Sequence, residues 1–432
     1  MMLAAELIIH NTYSRHHTTT MRITVGILHL SCLAFCCNAY YSSSWNAHLR
    51  GPLGRISGNS NTKNNGIISS GSASTRRVVA HHRRLHIMSM GDDIVSIDRT
   101  ATTPPPVTAP LSPRTFAGQV ERALLSKFKQ SKIERVLQSW RLMDMDYEHR
   151  EFVGNQQHPP TMADADETSR CYQHAPSYVP GLKALAWWDD ADEKLGWAKS
   201  LSESYPSIRE EFLSVMSSPD RLSSQGNNIW AGALTTDAES YGEGWKTLVL
   251  LNRGQWDETN ANLFPVASKA IHSSGVPVAE AFFASMKPHT SIKPHSDFTN
   301  FVLTSHLPLV VPNNGENKCR LSVGDETREW LEGKVILFDT SIYHDAVNDS
   351  DDTRYILMLR IWHPDLTEDE RGALQFIYDC LEIPELLSDD AGTAFVAGQR
   401  ANAMREFPLS KAPAAASGGG FGSKPRKGNK NR

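Results

Sequence analysis

Two residues apart in the segment KPHSDFTN stand His295 and Asp297, and 49 residues further on, in DTSIYHDAVND, stands His344. Two imidazoles and a carboxylate are the donors of the 2-His-1-carboxylate facial triad, which holds one face of an octahedral non-heme iron and leaves three positions open. An i, i+2 pair fits a strand end, where a turn or bulge lets both side chains reach one face. His344 is then expected from a strand on the opposite side of a barrel. The pattern is short, and a chain with 17 histidines contains it readily by chance. The competing reading is surface histidines on turns.

Arg354, ten residues after His344, opens the apolar run RYILMLRIW. A permanently charged guanidinium fork is what a buried carboxylate needs for bidentate pairing. A strand-edge arginine in a surface ion pair satisfies the same pattern.

These residues lie in a region that reads as strands. Short runs rich in Val, Ile, Leu and Phe recur at 246–251, 278–286, 299–311, 318–323, 334–339 and 354–362. Turn-forming Asn313-Asn314-Gly315, Gly324-Asp325 and 348–352 separate them. That spacing predicts a mainly β fold with flanking helices, a jelly-roll or barrel rather than an alternating α/β sheet. Helical periodicity precedes it. Val120, Leu124, Phe128, Ile133, Val136, Leu137 and Trp140 predict a helix or helix pair over 119–143. Residues 150–175 read as polar and irregular. Residues 178–218 read as helical, with one apolar stripe at Leu201, Tyr205, Ile208, Phe212 and Val215, and Ser204 and Pro206 suit a helix start. A last helix is expected over 367–382, after Pro364.

The chain has 432 residues and a formal charge of −4, unevenly spread. Residues 1–91 carry nine Lys/Arg and one acid, and residues 411–432 carry six and none, so the body holds 29 basic and 47 acidic side chains. An acidic body argues against nucleic acid as a partner. Arg22 precedes an apolar stretch of about 14 residues, a secretory-signal layout too short for the roughly 20 apolar residues of a membrane span. The acid-free, Ser/Arg-rich residues 42–91 have transit-peptide composition. Residues 1–91 are therefore expected to be a targeting leader. The order resembles the bipartite leaders of algae with complex plastids; a mitochondrial leader from Met21, a signal anchor for a lumenal enzyme, and a wrong start codon are the alternatives. Membrane contact is expected only through this apolar segment. A Pro-rich linker follows over 92–114, a helical or irregular segment over 115–177, and an extension over 383–432 whose Gly/Ala/Lys-rich tail is expected to be disordered. Cys171, Cys319 and Cys380 are widely spaced and odd in number, which is neither a disulfide framework nor a zinc motif.

The stretch PHSDFTNFVLTSHLPLVVP, followed by CRLSVGDETREWLEGKVILFDTSIYHDAVNDSDDTRYILMLRIWHPDLTEDER, resembles the aspartyl/asparaginyl β-hydroxylase family. YVPGLKALAWWDD, Trp197, YPSIREEF and GEGWKTLVL resemble that family's approach to its barrel, so the likeness spans about 178–382. It implies a double-stranded β-helix of the jelly-roll or cupin-like kind, with Fe(II) as metal, 2-oxoglutarate as cosubstrate and O2 as oxidant. It implies iron on His295 and His344, and 2-oxoglutarate positioned by Arg354 and His306. Three positions depart from the family. Asp297 stands where the animal enzymes have Gly and lack the metal carboxylate, so it either completes the triad or turns the chain. Thr304 replaces a basic residue expected at the cosubstrate. The hydroxyl expected near the far carboxylate aligns with Ala284 or, with a one-residue gap, with Ser285. The resemblance implies hydroxylation of an unactivated carbon, most simply the β-carbon of Asp or Asn in a polypeptide. A lipid acyl chain or small molecule is the alternative substrate, and a cupin-like binding or sensor protein without turnover the alternative class. Oligomeric state is not legible.

Overall fold

The computed structural model describes residues 104–105, 107–154, 170–189, 191–218, 230–232 and 238–410. The expected leader, part of the proline-rich linker and the tail from residue 411 lie outside them. No helix among the described residues is long and apolar enough to cross a membrane.

Thirteen strands are described: β1 (His149–Phe152), β2 (Tyr172–Ala175), β3 (Ala231–Gly232), β4 (Trp245–Asn252), β5 (Gln255–Trp256), β6 (Val278–Met286), β7 (Thr290–His295), β8 (Val302–Val310), β9 (Cys319–Val323), β10 (Glu326–Glu329), β11 (Ile336–Phe338), β12 (His344–Asn348) and β13 (Arg354–Trp362). One sheet runs β11-β8-β13-β6-β4-β3, with β5 on β4, and a second runs β10-β9-β12-β7. Their pairings are antiparallel. The fold is a double-stranded β-helix with flanking helices.

Side-chain alternation along β6 shows how the layers form. Phe282, Ala284 and Met286 join Ile292, Leu321, Val323 and Ala346 of the smaller sheet in the core between the two sheets. Ala281 and Phe283 point the other way, beneath the helices Gly196–Met216 and Pro265–Ser274. Burying each such Leu or Phe contributes about 1.5–3 kcal/mol. A third apolar cluster ties the helices Phe116–Lys127 and Glu134–Asp144 to Glu368–Glu382. That last helix starts at a capping box in which Thr367 and Glu370 satisfy each other's backbone N–H groups. Gly324 and Asp325 form the two-residue hairpin between β9 and β10, with Gly324 in the left-handed region at φ 63°.

Four expectations change. Residues 178–189 are not helical, and the long helix begins at Gly196, so Pro206 sits inside it rather than at its start. The stripe explains why: Leu201, Ile208, Phe212 and Val215 stay buried against the sheet across the proline, and that burial outweighs one missing N–H. Residues 150–175 are not wholly irregular, because β1 and β2 pair. The extension carries a helix, Ala391–Arg405, capped by the Asp390 side chain. Lastly, His344 does not come from across the barrel: β12 is the neighbour of β7, and His344 lies directly opposite His295 in the ladder.

Candidate metal centre

His295 ends β7, Asp297 follows two residues later, and His344 begins β12. The structure brings one donor atom from each to within 4.8 Å of the others. The two rings are oriented by the same device. Nδ1–H of His295 donates to the Lys293 carbonyl at 2.8 Å, and Nδ1–H of His344 donates to the Ile342 carbonyl at 3.0 Å. That fixes the tautomer and leaves Nε2 of each ring as the lone-pair donor. Burial holds His344 down to about 4, so it is neutral at physiological pH, the form that ligates metal.

Asp297 reaches the site because the backbone turns sharply behind it. Phe298 is in the left-handed region at φ 66°, an uncommon conformation for a non-glycine residue. The Asp297 N–H donates to the Thr340 carbonyl at 2.8 Å, which stitches this turn to the loop leading into His344. Asp339 holds that loop by accepting from the Ser341 N–H at 2.9 Å and from the Gln173 amide at 3.3 Å. Burial pushes the Asp339 carboxyl up to about 7.

The two oxygens of Asp297 have separate partners. Oδ1 lies 3.6 Å from His295 Nε2, on the metal side, while Oδ2 accepts a short hydrogen bond from the Arg360 guanidinium. Arg360 also faces Glu280, at 3.5 Å. Burial alone would raise the Asp297 carboxyl, but Arg360 and the neighbouring histidines outweigh it and hold the acid well below its usual range. Asp297 is thus an ionised carboxylate with one oxygen turned to the two imidazole nitrogens. Two imidazole nitrogens and one carboxylate oxygen at this spacing fit a divalent iron.

The pair has a measurable consequence. Asp297→Gly and Asp297→Asn should both lower Fe(II) affinity, and Asp297→Gly should lower it further than loss of one ligand requires, because Arg360 is left facing a dication. Asp297→Gly/Arg360→Met should then recover on the order of tenfold, the equivalent of about 1.4 kcal/mol of relieved repulsion. Titration of the four proteins decides the matter: unchanged affinity in both single variants would make Asp297 a turn residue.

A cleft opens beside the three donors. Thr304, His306, Trp330, Arg354, Ile356 and Met358 line it along with the donors themselves. Arg354 is fully buried, with Nη2 on the Met286 sulfur at 3.2 Å and its guanidinium over the Trp330 ring at 4.4 Å. Its Nε and Nη1 have no hydrogen-bond partner among the described residues. Burial lowers it to about 10, so it is still charged at neutral pH. Burial and the nearby Arg354 pull His306 well below its ordinary value. Its Nδ1 accepts from the Trp330 indole at 3.1 Å, which places the His306 proton on Nε2. The Thr304 hydroxyl lies 3.3 Å from that of Thr340.

Ser285 is not part of this cleft. It is a neighbour of Tyr355 across the ladder, its hydroxyl donates to the Lys246 carbonyl at 3.3 Å, and strand alternation turns it to the helix side. Ala284 has the inward parity and packs in the core between the sheets, so that position carries no hydroxyl. Tyr241, Trp330 and Arg360 were not singled out from the sequence. Arg360 had a visible signal: it shares strand parity with Arg354 inside an apolar run. Tyr241 had none.

Residues 202–364 match the family profile described as aspartyl/asparaginyl beta-hydroxylase. The mouse aspartyl/asparaginyl beta-hydroxylase is 32% identical over 207 residues, which is 46% of this chain and 26% of that protein. An ornithine lipid ester-linked acyl 2-hydroxylase from Rhizobium tropici is 30% identical over 170 residues, 39% of this chain and 58% of that one. This chain spans about a quarter of the length of the mouse and human hydroxylases it matches. Among solved structures, a 2OG-Fe(II) oxygenase family oxidoreductase from Burkholderia pseudomallei aligns over 27% of this chain and 65% of that one, at 14% identity and a TM-score of 0.21, too slight a likeness to bear on function. Over the matched residues, 202–364, the chain is similar to the aspartyl/asparaginyl β-hydroxylase family.

Proposed function

We propose that this chain is an Fe(II)- and 2-oxoglutarate-dependent dioxygenase that hydroxylates an unactivated carbon. The observation that carries the reading is Arg354: a buried, charged fork with two unpartnered nitrogens in the wall of the cleft that holds the His-Asp-His group. An unpaired buried cation costs several kcal/mol unless a carboxylate meets it. The far carboxylate of 2-oxoglutarate is such a group.

His295 and His344 would hold the metal through Nε2, and Asp297 through Oδ1. Bound iron supplies the redox chemistry that couples decarboxylation of 2-oxoglutarate, to succinate and CO2, with splitting of O2 and insertion of one oxygen atom into a substrate C–H bond. The second oxygen atom ends in succinate. Arg354 grips the cosubstrate's far end bidentately, and His306, held by Trp330, offers Nε2–H as a neutral donor in the same wall. Ile292, Phe338, Ile356 and Met358 give the cleft apolar walls, which strengthens each of these electrostatic contacts.

The substrate we favour is the β-carbon of an Asp or Asn residue in a polypeptide, supported by the mouse and human relatives. The similarity to a lipid acyl hydroxylase supports an acyl chain as the second reading. Purified protein given Fe(II), 2-oxoglutarate and air should release succinate, and chelation of the metal should stop it. Metal-bound protein that releases none, with peptide or lipid present, would instead be a binding or sensor protein.

A further inference from the structure

Tyr241 closes a short helix, Ala238–Tyr241, ahead of β4, and lines the cleft beside the three donors. Its phenol oxygen is 2.9 Å from His295 Nε2 and 3.2 Å from Asp297 Oδ1. Those are the two atoms that face the metal, because His295 Nδ1 is committed to a carbonyl and Asp297 Oδ2 to Arg360. In an octahedron with metal–ligand bonds of about 2.1 Å, neighbouring donor atoms sit about 3.0 Å apart. The phenol oxygen therefore stands from both atoms at the separation of an adjacent ligand.

The His295 Nε2 lone pair cannot serve a metal ion and the Tyr241 proton together. Metal entry must break that hydrogen bond, after which the phenol keeps its donation to Asp297 Oδ1 and turns a lone pair to the metal, or withdraws from both. Withdrawal is opposed by packing. The Tyr241 ring lies 4.5 Å from that of Trp245 and edge-on to His295 at 4.7 Å.

We propose that the Tyr241 phenol oxygen is a fourth protein donor to the metal, holding in the resting site one of the positions that a chelating 2-oxoglutarate must take. This rests on the metal reading above. With Fe(II) the donor is the neutral phenol. With Fe(III) the phenol proton leaves to solvent and the phenolate binds. Cosubstrate then displaces the oxygen, so the site opens fully only when 2-oxoglutarate is present.

The test is optical and needs no turnover. Wild-type protein and Tyr241→Phe are loaded anaerobically with Fe(II), assayed for bound iron, and oxidised with ferricyanide to Fe(III) without 2-oxoglutarate. Wild type should show a visible phenolate-to-iron(III) charge-transfer band. Tyr241→Phe, which loses a single oxygen atom, should bind iron at the same stoichiometry and show no band. Adding 2-oxoglutarate to the wild-type ferric protein should bleach it. Iron-loaded wild type without the band, or a band kept in Tyr241→Phe, overturns the assignment. A band that 2-oxoglutarate leaves unchanged overturns the displacement. Wild type that takes up no iron removes the metal centre itself, and this inference with it.

Discussion

His295→Ala and His344→Ala should each abolish 2-oxoglutarate turnover and lower Fe(II) affinity by far more than the roughly 10–100-fold that loss of an outer partner costs. Each ring supplies one of the three donors of the His-Asp-His group, and each is aimed by a backbone carbonyl. The variants should fold. The residues face one another at the start and end of short strands, and the core between the sheets is built from other side chains. Circular dichroism checks the fold, metal titration the affinity and succinate release the turnover. Folded variants of either kind that keep normal turnover would sink the site. The two should also differ. His344→Ala leaves the Tyr241–His295–Asp297 group intact, whereas His295→Ala removes the ring on which the phenol packs, so His295→Ala should be the harder to rescue with added imidazole.

The strands that the core defines are legible in the sequence, and those that the site defines are not. β6, β8 and β13 are long apolar runs buried on both faces, and hydrophobicity alone marks them. β7 and β12 carry the ligands and read TSIKPH and HDAVN. In β7 only Ile292 is buried, so no apolar alternation announces a strand there. The consequence was a misplaced His344, expected across the barrel and found in the next strand. Parity decided Ser285 in the same way: one residue of register separates the cleft from the helix side, and an alignment gap can be placed on either. The triad and Arg354 were legible because few residue types can do their work. The partners that orient them were not. Asp297 and Arg360 lie 63 positions apart, and no local pattern links them until the sheets bring β13 against the turn after β7. Pro206 shows the same limit, since a local rule yields when a buried stripe runs through it.

Arg354→Ala should raise the KM for 2-oxoglutarate by on the order of 10² to 10³, with Fe(II) affinity unchanged. A buried carboxylate that loses its paired cation forfeits about 3–5 kcal/mol, and each 1.4 kcal/mol is tenfold. Metal affinity should stay put because Arg354 touches Met286 and Trp330 rather than any donor. Arg354→Lys should recover little, since an ammonium has the charge but not the planar fork that meets two oxygens at once. Stability of the ligand-free protein gives an independent arm. Without cosubstrate the guanidinium is fully buried with Nε and Nη1 unpartnered, so it is a cost to the fold. Arg354→Met, of similar length and apolar, should leave the melting temperature unchanged or raise it, while 2-oxoglutarate should stabilise wild type and not this variant. The opposite pattern, with iron affinity lost, the KM intact and the fold weakened, would make Arg354 a structural residue.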